Sequence, residues 1–437
     1  MRRSTPSSLG STVPPADPGV PAVEAAEAAP HPTFEGGRPR IVYAVTTPRV
    51  AWWFLRGQLA YLRESGADVH LVSSPESQLE PTAEREAVTA HAVKMDREIA
   101  PLKDLRALVA LWRLFRRLRP DIVNASTPKA GLLAGLAAKL SGVRGRVYLL
   151  RGLRMETTTG LLRWILWSAE RLACASASRV VCVSPSLLER AVELRLVKRE
   201  KAVVLAGGSS NGVDVQRFAP SPALLAEAER LRSELDLVRP GPVIGFVGRF
   251  TRDKGLVELA EAFARVRGRH PSARLLLVGD FEDGDPVPEG TRSLLEDHRH
   301  VIFTGWVHEV APYFHLCDVV ALPTYREGFP NIAVEAASAG KPVITTDATG
   351  ARDSVVDGET GLIVPTGDAV ALAEALDRVL DDPAWARTLG ERGRRRAAER
   401  FAPELIWRGL FDLYAELYRP VPVGPMAKPA ARTGGGP

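Results

Sequence analysis

Between Arg40 and Val364, short β-branched, apolar runs alternate with longer stretches whose apolar residues recur at helical spacing. The runs predict strands at Arg40–Val45, Asp68–Ser73, Asp121–Ala125, Arg146–Leu150 and Arg179–Ser184. A second series is predicted at Val243–Gly248, Arg274–Gly279, His300–Thr304, Asp318–Pro323, Pro342–Thr346 and Gly361–Val364. Strands separated by helical patterns of roughly 10–20 residues imply βαβ units and a parallel sheet. The series breaks once, at Asp214–Pro242, which is charged and flanked by prolines. We therefore expect an α/β fold of two Rossmann-like, doubly wound domains, at 39–215 and 243–400. A linker at 216–242 joins them, and a last helix at 401–419 follows. Residues 1–38 and 420–437 are rich in Pro, Ala, Ser and Gly without apolar periodicity, and read as disordered tails. In such folds ligands bind beyond the carboxyl ends of the strands and in clefts between domains.

Composition narrows the partners. The chain has 437 residues, 45% hydrophobic and 25% charged, which suits soluble globular domains. A net charge of +5 is a mild basic excess. It is compatible with phosphate-bearing ligands or an anionic membrane face. No clustered basic arm, zinc spacing or aromatic–basic ribonucleoprotein motif is present, so no nucleic-acid partner is expected. The three cysteines, Cys174, Cys182 and Cys317, form no CxxC and point to a reducing compartment without a disulfide framework. Met1-Arg2-Arg3-Ser4 is basic, but Ser, Pro and Gly follow where a signal region would be apolar. No apolar run reaches the roughly 18–20 residues that span a bilayer. The expectation is a cytoplasmic protein that touches a membrane from one side only.

Two loops of the second half carry candidate chemistry. Gly248-Arg249-Phe250-Thr251-Arg252-Asp253-Lys254-Gly255 follows a strand and opens a helix predicted from Gly255 to Val266. Cations oppose the macrodipole at a helix N-terminus, so Arg249, Arg252 and Lys254 make sense there if an anion joins them. The alternative is a solvated turn in which Asp253 compensates locally. The other loop, Glu327-Gly328-Phe329-Pro330-Asn331-Ile332-Ala333-Val334-Glu335, follows the strand Asp318–Pro323. Asn331 is expected to cap a helix running to Ala339, with Gly340 as its stop. Glu327 in the loop and Glu335 one turn inside could address two parts of one ligand. Alternatively Glu327 complements the dipole and Glu335 is an ordinary surface residue.

The spacing Glu327-x7-Glu335 resembles the E-x7-E motif of family 4 glycosyltransferases of the GT-B fold. Arg249 and Lys254 match the Arg and Lys after the first strand of that family's C-terminal domain. Gly305-Trp306-Val307 resembles its base-binding loop, and Gly350-Ala351-Arg352-Asp353 its following turn. The stretch Asn124–Gly131, with Arg151-Gly152-Leu153-Arg154, is similar to the subgroup that assembles capsules and other bacterial glycans. The likeness covers roughly residues 40–418.

This resemblance implies two Rossmann-like domains facing a central cleft, with the C-terminal helix returning to the N-terminal domain. It also implies a retaining transferase moving a hexose or N-acetylhexosamine from a nucleotide diphosphate donor, a UDP-sugar, to a glycan or lipid-linked acceptor. Neither cofactor nor metal is implied. Glu327, Arg249 and Lys254 would act in catalysis. Gly248, Gly305, Trp306, Val307, Gly328, Phe329, Pro330, Asn331 and Glu335 would bind the donor, with Glu335 on the ribose. Thr127, Lys129 and Arg151 would stand on the acceptor side. Two features depart from the family pattern. Arg151-Gly152 replaces a His-Gly, and Thr46-Thr47-Pro48 replaces a glycine-rich first loop. Both concern the acceptor, and Arg151 reads equally as an acceptor-phosphate contact or as structural. The rival readings are a nucleotide-sugar epimerase of the same architecture and a non-catalytic partner subunit.

Other signals read as structural. Asp283-Gly284-Asp285 lies among turn formers, and His298, His300, His308 and His315 share no metal-ligand arrangement. In Leu102–Arg119, Leu102, Leu105, Leu108, Val109, Trp112, Phe115 and Leu118 keep a helical period with arginines interleaved. Such a basic amphipathic helix, with Trp164 and Trp167 in the same domain, suits peripheral contact with an anionic membrane face. The alternative is a core-packing helix with a solvated basic side.

Overall fold

Two all-parallel sheets carry the fold of the computed structural model, which describes residues 31–418 apart from Asp283. The first has seven strands: β1 (Arg40–Ala44), β2 (Asp68–Ser73), β3 (Thr89–Ala92), β4 (Ile122–Ala125), β5 (Gly145–Leu150), β6 (Arg179–Cys182) and β7 (Ala202–Val203). Their order is β3-β2-β1-β4-β5-β6-β7. The second has six: β8 (Val243–Val247), β9 (Arg274–Val278), β10 (Val301–Phe303), β11 (Val319–Leu322), β12 (Val343–Thr346) and β13 (Gly361–Val364), in the order β10-β9-β8-β11-β12-β13. In both, helices cover the two faces, so the central strands are apolar on both sides rather than alternating. Ile41 of β1, for example, pairs with Val69 and Ile122, all buried.

Strand order reverses between β1 and β4 in the first sheet and between β8 and β11 in the second. These switch points open a crevice at the carboxyl ends of the strands, because the crossovers leave in opposite directions. Thr46 and Thr127 follow the first pair, and the two candidate loops follow the second. The two switch points face each other across one cleft.

Two strands lie outside the sequence-based expectation. β3 reads Thr-Ala-His-Ala at a half-exposed edge, and β7 is two residues long, so neither has an apolar run to betray it. The segment read as a linker, 216–242, is largely helical. Val215–Phe218 and Pro222–Glu234 are helices, and Phe218, Ala228 and Leu231 are buried with the C-terminal core. Of the segments read as tails, Phe34 packs on Phe411 with ring centres 4.4 Å apart. Residues 1–30 and 419–437 lie outside the described residues.

The chain crosses twice between domains. The outward crossing, near Gly207–Val213, and the return, near Arg400–Pro403, lie side by side. Gly207 N–H donates to Arg400 O (3.2 Å) and Val213 N–H to Phe401 O (2.8 Å). The helix Pro403–Leu417 then buries Ile406, Leu410, Phe411, Leu413 and Tyr414 in the N-terminal core. Its Tyr414 hydroxyl meets that of Tyr43 on β1 at 2.7 Å. No helix among the described residues is long and apolar enough to cross a membrane.

Candidate active site

A cleft of about 620 Å³ lies between the domains. Of the candidate residues, Gly248, Arg249, Lys254, Glu327, Gly328, Phe329, Pro330, Asn331 and Glu335 line it from the C-terminal domain, and Thr127 and Arg151 from the other side.

The C-terminal wall is built where β8 and β11 run in parallel. Gly255 (φ 73°) takes a left-handed conformation, and a Cβ there would overlap the carbonyl oxygen of Pro323. Only glycine lets the helix Leu256–Arg269 start this close to the end of β11. Its approach brings Lys254 against Glu327, and the two form an ion pair. Asp253 welds the loops together. Its carboxylate accepts from Thr251 Oγ1 (2.6 Å) and pairs with Arg326 (2.8 Å), while its carbonyl accepts from Tyr325 N–H (2.9 Å) and Thr324 Oγ1 (3.1 Å). Asp253 is thus a buried joint between two loops rather than a local counter-charge. Arg249 pairs with Glu282 at 2.6 Å on the exposed lip.

The helix Asn331–Ser338 begins differently from expectation. Pro330 occupies the cap position, and no side chain caps the helix. Asn331 is the first helical residue, and its Oδ1 accepts from Ser209 Oγ of the N-terminal half at 2.9 Å. The capping expectation is corrected because the preceding proline holds the extended backbone that a cap requires. One turn on, Glu335 lines the cleft with an Oε2 atom that has neither solvent contact nor a hydrogen-bond partner. Desolvation, with Glu309 adding and Arg217 opposing, pushes its pKa up to about 7. Arg217 also lines the cleft and holds Glu309 with both carboxylate oxygens at 3.0 Å. It escaped the sequence reading because it lies in the supposed linker.

The domains touch at Gly328, where a Cβ would overlap the carbonyl oxygen of Arg151. Ser184 Oγ donates to Gly328 O at 2.7 Å, and Ser186 N–H to Asp353 Oδ2 at 3.1 Å. Phe329 stacks on Phe401 of the return crossing at 5.0 Å. On the N-terminal wall, Thr127 Oγ1 is bonded to Thr46 Oγ1 at 2.7 Å, which closes the first switch point. Arg151 lies over the Phe54 ring at 5.1 Å.

Four candidates stand apart from the cleft lining. Lys129 turns to Asp104 (2.8 Å) and the carbonyl of Glu98, so it braces a neighbouring helix. Gly305 receives a hydrogen bond from Gly279 N–H (3.1 Å), Trp306 is 59% exposed beside His308, and Val307 packs on the C-terminal core. Asp285 accepts from Asp253 N–H at 3.0 Å and so shapes the turn, whereas Asp283 lies outside the described residues. Among the described residues no three His, Cys, Asp or Glu side chains gather as a metal cluster.

Comparison with known proteins agrees with this geometry. The family model "Glycosyl transferase 4-like domain" matches residues 51–208, and "Glycosyl transferases group 1" matches residues 241–382. The capsular polysaccharide biosynthesis glycosyltransferase CapM of Staphylococcus aureus is 36% identical over 360 residues, covering 82% of this chain and 93% of CapM. The UDP-Gal:alpha-D-GlcNAc-diphosphoundecaprenol alpha-1,3-galactosyltransferase of Escherichia coli is 27% identical over 65% of this chain and 73% of its own. Among solved structures, Anabaena HepE in complex with UDP superposes with a TM-score of 0.72 at 21% identity, over 87% of this chain and 100% of that one. Two facing parallel-sheet domains, the paired loops of the cleft and these matches together establish that the chain belongs to glycosyltransferase family 4, with the GT-B fold, in the subgroup that assembles capsules and other glycans.

Proposed function

We propose that this glycosyltransferase is a retaining enzyme that moves a hexose or N-acetylhexosamine from UDP to a lipid-linked glycan acceptor. The observation that carries the reading is the convergence of Arg249, Lys254, Glu327 and Glu335 on one cleft at the second switch point. In this account the donor diphosphate lies between Arg249 and Lys254, and both cations neutralise the charge that develops as UDP leaves. Lys254 then exchanges Glu327 for phosphate oxygen, which frees the Glu327 carboxylate to accept hydrogen bonds from the sugar. Glu335, with an unpaired oxygen in the cleft, suits a ribose hydroxyl. Departure of the diphosphate and entry of the acceptor on the same sugar face need positioning and electrostatics but no covalent partner.

Relatives support the donor and acceptor classes: the E. coli relative is named for UDP-Gal and a diphosphoundecaprenol acceptor. The N-terminal domain supports a membrane-borne acceptor. Its helix Pro101–Leu118 packs through Ala107, Leu111, Leu114 and Phe115 but exposes Leu102 (78%), Leu105 and Val109 beside Arg106, Arg113, Arg116 and Arg117. The helix Gly160–Ser176 exposes Leu161, Leu162 and Trp164. Apolar and cationic side chains together favour an anionic lipid surface, each cation by about 1 kcal/mol.

The test is a panel of nucleotide sugars scored for thermal stabilisation and, with a lipid-linked saccharide mixture, for nucleotide release. A UDP-sugar should raise the midpoint and release UDP only when acceptor is present. Conversion of the donor to a new sugar nucleotide without acceptor would instead reveal an epimerase.

A further inference from the structure

A second anion site stands opposite the first, and it rests on the transfer reading above. Four cations line the cleft. Arg249 is paired with Glu282, Lys254 with Glu327 and Arg217 with Glu309. Arg151, at the end of β5, is different. Its Nε and Nη2 atoms are closed off from solvent and have no hydrogen-bond partner. Its guanidinium rests on the Phe54 ring at 5.1 Å, a contact that satisfies none of its N–H groups. Burial lowers its pKa to about 10, against a smaller opposing effect of the Tyr43 and Tyr148 phenols, so it is charged at neutral pH. A buried charge without a counter-ion is costly and becomes favourable when an anion completes it.

The neighbouring strand supplies an independent feature. The helix Pro128–Leu140 starts at Thr127, which lines the same cleft. No side chain caps this helix, because the Thr127 hydroxyl is engaged with Thr46. Its N-terminus therefore presents backbone N–H groups and the positive end of a macrodipole at the first switch point. The donor diphosphate has its own cations on the far wall, so a second anion is needed here.

We propose that Arg151 and the N-terminus of the helix Pro128–Leu140 form an oxyanion subsite, distinct from the donor diphosphate site, which takes the phosphate joined to the acceptor sugar. Val50, Trp53 and Phe54 line the cleft on the same wall and suit the first isoprene units beyond such a phosphate. Arg151 matches this role as a planar donor to phosphate oxygens.

The test uses the full chain saturated with UDP, so that the donor diphosphate site is filled, and titrates inorganic pyrophosphate and geranyl diphosphate by calorimetry. The wild type should bind both at a second site, geranyl diphosphate more tightly. Arg151→Gln should weaken both at least tenfold while UDP affinity stays within twofold, and Arg151→Lys should recover part of the loss. Absence of a second site in the UDP-saturated wild type, or unchanged binding in Arg151→Gln, would overturn the proposal. A further arm compares UDP-glucuronate with UDP-glucose. If the wild type prefers the uronate and Arg151→Gln abolishes the preference, the anion belongs to the transferred sugar and the acceptor assignment is overturned. Failure of UDP itself to bind would overturn the transfer reading and this inference with it, a result distinct from loss of the second site alone.

Discussion

The two walls of the cleft solve different problems with similar scaffolds. The C-terminal wall is polar, and its cations are already partnered: Lys254 by Glu327, Arg249 by Glu282, with Asp253 locking the loops beneath them. The N-terminal wall presents Val50, Trp53 and Phe54 together with a guanidinium that lacks partners. A preformed wall suits a constant ligand, the nucleotide diphosphate. A wall of apolar rings and one unsatisfied charge is completed by whatever it binds, and suits a ligand that varies between relatives.

The largest effect that could break this contrast is on the preformed wall. Lys254→Ala and Glu327→Ala should each lower UDP release with acceptor by about 10²- to 10³-fold, as for loss of a preorganised electrostatic group. The thermal midpoint should move by only a few degrees. Near-normal turnover in both variants would mean that the wall does not carry the chemistry. Gly328→Ala touches both walls, because its new Cβ must push the Arg151 backbone away. Transfer should fall by at least about tenfold, in keeping with the cost of small displacements in an active site, and UDP affinity and acceptor KM should both deteriorate. A change confined to one of them would show that the walls are uncoupled.

Smaller effects sharpen the comparison through two buried carboxyls, one in each domain. Glu335 has its pKa raised to about 7 by desolvation, and a ribose hydroxyl is held best by its charged form. UDP affinity should therefore weaken about tenfold from pH 8 to pH 6, as the ionised fraction falls, and Glu335→Gln should flatten that profile. Glu170, which accepts a hydrogen bond from Tyr148 at 2.7 Å, is also raised to about 7 by burial. Because its folded pKa exceeds the unfolded one, the folded state binds the extra proton between roughly pH 4.5 and 7, and stability falls as pH rises through that window. Glu170→Gln should remove this loss, leaving the variant about 1–3 kcal/mol more stable than wild type at pH 7.5 and equal to it near pH 4.5. Denaturant titrations at the two pH values decide the matter. UDP affinity should be unaffected by this substitution, which lies in the domain away from the donor.

Much of this was legible from spacing because its causes are local. β-branched runs form buried strands wherever they occur, and glycines such as Gly255 mark where backbone must approach backbone. The glutamate pair eight residues apart sits on a single loop and helix, so its geometry follows from the helix itself. What escaped notice depends on partners far apart in the chain. Asp253 receives Arg326 from a loop over 70 residues away, and Arg217 faces Glu335 only because a segment lacking a strand folds into the C-terminal core. Lys129 carries an attractive charge beside a helix start, yet Asp104 claims it from the preceding helix. Trp306 stands on a loop whose direction is set by the bridge between Gly279 and Gly305, which no single motif encodes.

The helix Pro403–Leu417, which completes the N-terminal core, also has a bearing on how the chain is made. During synthesis the first domain emerges with Tyr43, Phe34 and their neighbours still uncovered, and their cover arrives only with the final residues described. The domain made first is therefore the one finished last. A ribosome stalled anywhere in the second domain leaves an open apolar seam in the first.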